Sequence, residues 1–277
     1  MTRPNVAERN GYTRQTFAAG GWRHDVYRGG DGPPVLLLHE MPSFSWRTVK
    51  LANHIRKHDY RIVMPILVGG IREGPLIGWR GGLALAREFS VATLKICISR
   101  EFVALLQHRT SPVTDYLLAL ARAEAAESGR SKVGVIGMCL SGGFALATSI
   151  DPVVGVAVTS QPALPFAMGP LGRIPGQAAD LGLSESDRLA LVARRDDPDF
   201  CVRALRYDTD RIAPAARVER IERELAPGAT LTRIPAVRPA HSVLTDATDS
   251  GPDPSAKPAL EAALASVIAT LDERLKP

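Results

Sequence analysis

Val133-Gly134-Val135-Ile136-Gly137-Met138-Cys139-Leu140-Ser141-Gly142-Gly143-Phe144-Ala145-Leu146-Ala147 decides the fold. A β-branched apolar run meets a glycine, presents one cysteine, passes three small residues and continues into Ala and Leu. The pattern reads as a buried strand, a sharp turn and a buried helix. A side chain at such a turn sits on strained backbone, and its neighbours must be small because strand and helix approach closely. Gly137 before Cys139, and Ser141 and Gly142 after it, meet that need. The amide of Leu140 opens the helix, where unpaired N–H groups and the helix dipole favour negative charge. A thiol there can be activated, and an oxyanion beside it held.

A lone cysteine is more often an inert core residue, and a glycine-rich strand-to-helix turn can also bind pyrophosphate. The strand-turn-helix setting weighs against the first reading. Against the second, Gly134 and Gly137 do not give the G-x-G-x-x-G spacing, and the next strand ends in Thr159-Ser160-Gln161 with no acid for a ribose.

On the N-terminal side, Trp22 to Tyr27 suggests an early antiparallel strand, and Val35-Leu36-Leu37-Leu38-His39 a strand covered on both faces. Ser45 to His58 has helical spacing with Ser45 as its cap, and Arg61 to Leu67 reads as the next strand. Val68 to Gly82 is a glycine-rich loop of the kind that carries binding function. Leu83 to Leu106 and Asp115 to Glu127 are helical in period. After the central stretch come a strand at Val153 to Thr159, a Pro- and Gly-containing loop at Ser160 to Gly182, and a helix at Glu185 to Arg195. Cys201 to Tyr207 and Ala229 to Ile234 read as strands, with helices at Pro214 to Leu225 and Pro258 to Leu275. This alternation implies a mainly parallel central sheet with helices on both faces, whose chemistry gathers at the carboxyl ends of the strands.

Composition narrows the function classes. A chain of 277 residues, 45% apolar, can bury roughly three quarters of its unfolded surface as one domain over residues 1–277. The net charge of +5 arises from 34 basic and 29 acidic residues that form no run, so no nucleic-acid partner is implied. No window approaches the ~20 apolar residues of a membrane span, so no membrane partner is expected and the protein reads as cytoplasmic. Cys97, Cys139 and Cys201 are odd in number and lack CxxC spacing, which suggests neither a disulfide framework nor a zinc site. Monomer and homodimer both remain open.

Three strand ends carry the chemistry. The central stretch gives Cys139, the strand at Cys201 to Tyr207 is followed by Asp208-Thr209-Asp210, and the last strand is followed by His241. The order nucleophile, acid, histidine is that of the α/β-hydrolase fold. A thiol needs a base to take its proton, the base needs a partner to fix its tautomer, and that partner must stabilise imidazolium. Asp210, deeper in its loop than Asp208, is the preferred acid. Glu40, directly after four apolar strand residues, faces desolvation and reads as a second base or a clamp near Cys139. Met41 contributes its amide where this fold keeps the second oxyanion donor. His39, Cys97 and Cys201 read as core residues.

These residues resemble the dienelactone hydrolase family. Gly137-Met138-Cys139-Leu140-Ser141-Gly142-Gly143 is similar to its G-x-C-x-G-G elbow, with Ser141 in place of a glycine. Glu40 stands where the family has its thiol-associated glutamate, Asp210 with Pro214 resembles its acid loop, and His241-Ser242 resembles its last loop. Thr245 takes the position of an arginine that binds the substrate carboxylate in the founding type. The resemblance implies hydrolysis of lactones or related carboxylic esters through a thioester acyl-enzyme. Cys139 would be nucleophile, His241 base and acid, Asp210 its orienting partner, Glu40 the acid beside the thiol, and the Leu140 and Met41 amides the oxyanion hole. Arg100 or Arg109 would bind an anionic substrate group. No metal or organic cofactor is called for, and the expected partner is a small-molecule ester or lactone. The rival readings are a non-catalytic ligand-binding protein on the same fold, and an acyltransferase using an alcohol or amine in place of water.

Overall fold

Along the apolar run Val35–Leu38, Leu36 and Leu38 pack into one hydrophobic cluster while Val35 and Leu37 pack into another, so the strand has core on both sides. The same split runs through the whole central sheet. The structure, a computed structural model, describes residues 3–75, 111–165, 174–249 and 251–276. Its main sheet has eight strands: β1 (Thr13–Ala19), β2 (Trp22–Gly29), β3 (Pro34–Leu38), β4 (Arg61–Pro65), β5 (Val133–Met138), β6 (Val154–Ser160), β7 (Val202–Tyr207) and β8 (Ala229–Ile234). Their order across the sheet is β1-β2-β4-β3-β5-β6-β7-β8. β1 and β2 are antiparallel, as are β2 and β4, and every later pairing is parallel.

The connecting helices lie on the two faces in an order that alternation of the strands requires. Helices α2 (Pro112–Ser128), α3 (Gly142–Thr148), α4 (Glu185–Arg194) and α5 (Ala215–Leu225) contribute Tyr116, Phe144, Leu191 and Ile221 to the cluster that holds Leu36. Helices α1 (Trp46–Arg56), α6 (Val243–Thr248) and α7 (Lys257–Leu275) contribute Ile55, Leu244 and Val267 to the cluster that holds Leu37. Local chemistry sets the ends of α2: the Ser111 hydroxyl accepts from the Val113 amide at 3.3 Å, Pro112 occupies the first turn, and Gly129 closes it with a φ of 66°. Glu124 on α2 is fully buried and takes Arg28 of β2 at 2.6 Å and Arg61 of β4 at 3.0 Å, which ties the helix to the antiparallel side of the sheet.

Register decides what meets at the carboxyl edge. Leu38 lies opposite Gly137, Met138 opposite Ser160, and Ser160 opposite Leu205, so the segments leaving β3, β5, β6 and β7 emerge side by side. The loop after β6 is held from below by Arg217, 1% exposed, which donates to the carbonyls of Pro162 (3.0 Å), Pro165 (2.5 Å), Gln177 (3.2 Å) and Asp180 (2.5 Å).

Several local details differ from the sequence reading or add to it. Ser45 sits at the start of α1 without a side-chain capping bond. Pro214 precedes α5 rather than entering its first turn. β1 and α6 have no counterpart in the sequence reading: β1 is a mostly exposed edge strand without apolar alternation, and α6 has six residues. Phe44–Ser45 and Ile71–Arg72 form a two-stranded parallel bridge that gives part of the 68–82 loop regular structure. The helix expected at 83–106, with Cys97, Arg100 and Arg109, lies outside the described residues, as does part of each binding loop. Among the described residues no helix is long and apolar enough to cross a membrane.

Candidate active site

At the end of β5, Cys139 turns the chain with a φ of 57°, in the left-handed region that a side chain ordinarily avoids at a cost of roughly 1–2 kcal/mol. It is buried at 7% exposure. The turn can close only over glycine at Gly137, where a Cβ would stand 2.2 Å from the Ser141 carbonyl oxygen and 2.8 Å from the Ala145 Cβ. Ser141 does what a glycine could not. Its hydroxyl accepts from the Met138 amide at 2.9 Å and shares its proton among the carbonyls of Leu38 and His39, both at 3.1 Å, and Met138 at 3.0 Å. It therefore pins the elbow, with Leu140, to the end of β3 that leads into Glu40 and Met41. On the other side the Cys139 carbonyl accepts from the Ala163 amide at 3.0 Å.

Asp210 and His241 meet as their order in the chain suggested. His241 Nδ1 lies 2.8 Å from Asp210 Oδ2. The other carboxylate oxygen accepts from the amides of Ile212 (2.8 Å) and Ala213 (3.1 Å). The Arg206 guanidinium laces the same loop by donating to the carbonyls of Asp210 and Ala213, each at 2.7 Å. Asp210 is thus held by its own loop as well as by the imidazole, while Asp208 is exposed.

Burial works against charge on His241, but its bond to Asp210, its interaction with the Cys139 sulfur and the charges of both outweigh it, and the imidazole is pushed up to about 11. Nε2 is buried and has no regular hydrogen-bond partner among the described residues. The Cys139 sulfur is among the groups that raise the imidazole, so the thiol lies near enough to His241 to interact with it.

Glu40 emerges from β3 into the same ground. Its Oε1 accepts from Gln161 Nε2 at 2.7 Å and its Oε2 from Thr245 Oγ1 at 3.2 Å. Burial raises its carboxyl, and His241, Arg47 and a bond from Ser242 partly offset that. Arg47 on α1 is ion-paired with Asp246 and lies 3.4 Å from Asp249, and Tyr207 Oη donates to Asp246 at 2.9 Å. The Thr245 hydroxyl is therefore spent on Glu40 in the position where the resemblance set a substrate-binding arginine.

His39, next to Glu40, is a core residue as expected. Nε2 accepts from the Leu67 amide at 3.1 Å, so Nδ1 carries the proton and donates to the Glu40 carbonyl at 2.9 Å. Cys201, read as a core residue, is only half-buried; it directly precedes β7, at the opposite end of that strand from Asp210, and takes no part in the site. Among the described residues no group of three or more His, Cys, Asp or Glu side chains is arranged to hold a metal ion.

A 300 Å³ cleft opens beside His241, lined by Arg47, Arg211, Ile212, Pro239 and Pro252. A larger groove of 1070 Å³ runs between α1 and α7, and none of the site residues lines it.

Gln161 and Arg47 are members of this cluster that the sequence reading did not put there, while Ser242 and Thr245 entered it only through the family resemblance. Gln161 carried one usable signal, its place directly after a fully buried strand. Arg47 carried none.

The strand order, the elbow at Cys139 and the acid and histidine after the seventh and eighth strands define an α/β-hydrolase fold. No family model and no curated protein matches the chain. Solved structures do. A dienelactone hydrolase from Anabaena variabilis is 14% identical over 96% of this chain and 98% of its own, with a TM-score of 0.59. A cold-adapted esterase from an Arctic intertidal metagenomic library is 17% identical over 96% and 94%, with a TM-score of 0.55. A serine α/β-hydrolase without a lid, from Xanthomonas campestris, is 11% identical over 96% of both chains, with a TM-score of 0.53. At such identities the likeness speaks for the fold.

Proposed function

We propose that this protein is a cysteine-dependent hydrolase of lactones or carboxylic esters that works through a thioester acyl-enzyme. The observation that carries the reading is the left-handed elbow at Cys139 facing an imidazole already locked on Asp210. Esterase and dienelactone hydrolase structures with the same architecture support it.

In this reading the Cys139 proton passes to His241 Nε2, and the sulfur attacks the carbonyl carbon while the carbonyl electron pair moves to oxygen. The amides of Leu140 and Met41 receive that oxyanion, since Ser141 fastens one turn to the other. Collapse expels the alkoxide, which takes the proton from His241; for a lactone it remains tethered to the acyl chain. Water then attacks the thioester as His241 removes its proton, and the thiolate leaves and is reprotonated. Asp210 holds the ring in the tautomer that keeps Nε2 free for these transfers. Only the protein's own groups, the substrate and water take part, in a cytoplasmic protein acting on a small molecule.

Intact-protein mass spectrometry after exposure to activated aryl esters tests it. The acyl mass is expected on Cys139, and Cys139→Ala should lose both the adduct and turnover, by at least about 10³-fold. A folded protein whose Cys139 stays unmodified across aryl esters, lactones and thioesters refutes the reading.

A further inference from the structure

Gln161 is fully buried, directly follows β6, and carries a φ of 36° without being glycine. Backbone outside the common regions persists only where the surroundings over-determine it, and such positions gather at functional sites. Here the side chain is held at both ends of its amide. Nε2 donates to Glu40 Oε1 at 2.7 Å, while Oε1 accepts from the Val243 amide at 3.3 Å and from the Ser160 hydroxyl. Turning the amide over would set an NH2 group against the Val243 N–H, so the donors fix its direction. One side chain therefore joins the acid after β3 to the first residue of α6, two positions beyond His241.

Glu40 lies among groups from four segments: His241 and Ser242 after β8, Arg47 on α1, Thr245 and Asp246 on α6, and Gln161 itself. Gln161 donates to its carboxylate at 2.7 Å, closer than the Thr245 hydroxyl at 3.2 Å. Neither the mechanism above nor the family resemblance uses this residue.

We propose that Gln161 is a positioning residue that clamps the Glu40 carboxylate to the His241 loop, so that the charge on Glu40 felt by the Cys139–His241 pair depends on it. The inference rests on the thiol–imidazole pair of the proposed hydrolase, yet it needs no substrate. A donor to a carboxylate favours its ionised form. Removing that donor should make Glu40 hold its proton to higher pH, and the neighbouring imidazole should register the change.

The experiment follows the rate of Cys139 alkylation by iodoacetamide from pH 4 to pH 9, with Cys201 and Cys97 replaced by serine in every variant. Gln161→Gly removes the side chain and suits the left-handed backbone, and Gln161→Asn keeps an amide too short to bridge and also tolerates positive φ. Both should move the acid inflection upward by about one pH unit, a tenfold change in the Glu40 protonation equilibrium. Glu40→Gln should abolish the inflection, and adding Gln161→Gly to it should change nothing more. An inflection absent from the parent protein, unmoved or lowered in both Gln161 variants, or still moved by Gln161→Gly in the Glu40→Gln background overturns the proposal. Because alkylation reads the thiol alone, a protein that cleaves no ester but shows these shifts would sink the hydrolase reading and leave the role of Gln161 standing.

Discussion

Replacing Asp210 by asparagine alters one atom's charge and leaves the shape intact, and the surroundings dictate how the new amide must lie. Oδ1 accepts two backbone amides, from Ile212 at 2.8 Å and Ala213 at 3.1 Å, so the oxygen of the asparagine is drawn there and its NH2 turns toward His241 Nδ1. The imidazole then has to accept at Nδ1 and carry its proton on Nε2, facing the thiol it should deprotonate. The same change removes the carboxylate that, against the opposing pull of burial, helps push the imidazole up to about 11. In Ser-His-Asp hydrolases the equivalent substitution lowers kcat by roughly 10⁴. A loss of that size here corresponds to about 5 kcal/mol of transition-state stabilisation. The fold should lose much less, about 2 kcal/mol for one charge-assisted bond, because the two backbone donors keep their acceptor. The assay is kcat/KM on an aryl ester that acylates Cys139, beside thermal unfolding of the same preparation. Activity within tenfold of the parent, with the fold intact, would show that Asp210 does not set the tautomer.

Two further substitutions probe the scaffold. Burial holds the His39 imidazole down at about 4, below its unfolded value of 6.5, so its contribution to stability is complete above pH 6.5 and is lost as pH falls through 4. That amounts to about 3 kcal/mol; His39→Gln, which can still accept from the Leu67 amide, should flatten the fall in urea-unfolding free energy over that window, and an unchanged slope would count against it. Ser141→Ala leaves the buried Met138 amide without its acceptor and frees the Leu38 and His39 carbonyls. It should cost about 2 kcal/mol in thermal unfolding and slow acylation as the Met41 turn loosens from Leu140; a variant that melts and acylates like the parent would refute the pinning role.

How much of this was legible follows from where each signal lies. β3, β5 and β6 could be read because a strand with core on both faces carries a run of apolar residues, and their carboxyl ends then named Glu40, Cys139 and the loop beyond Ser160. Asp210 could be preferred to Asp208 by its depth in the loop, and the structure finds it against His241 while Asp208 faces solvent. β1 left no trace because an exposed edge strand needs no apolar alternation, and α6 because six residues span too few turns to establish a period. Ser141 read as a departure from a glycine, since its worth lies in carbonyls about a hundred positions away in the chain. Arg47 reaches Asp246 across 199 positions, and no local pattern announces such a pairing.

The two strained residues nearest the site, Cys139 and Gln161, leave neighbouring strands that are in register to their last residues, Met138 and Ser160. Neither strain stands alone. Gly142 lets the two turns approach, since a Cβ there would meet Pro162 Cα at 3.0 Å, and the Ala163 amide crosses to the Cys139 carbonyl at 3.0 Å. Bending the chain sharply at Cys139 aims the sulfur off the sheet toward His241; bending it at Gln161 sends the amide side chain back toward Glu40. The adjacent turns thus serve the two partners of one imidazole, the thiol it acts on and the acid whose charge it feels. A backbone relaxed at either point would swing its side chain away and leave the other turn without the contact that holds it, which is why a parallel strand pair, rather than a loop, carries both.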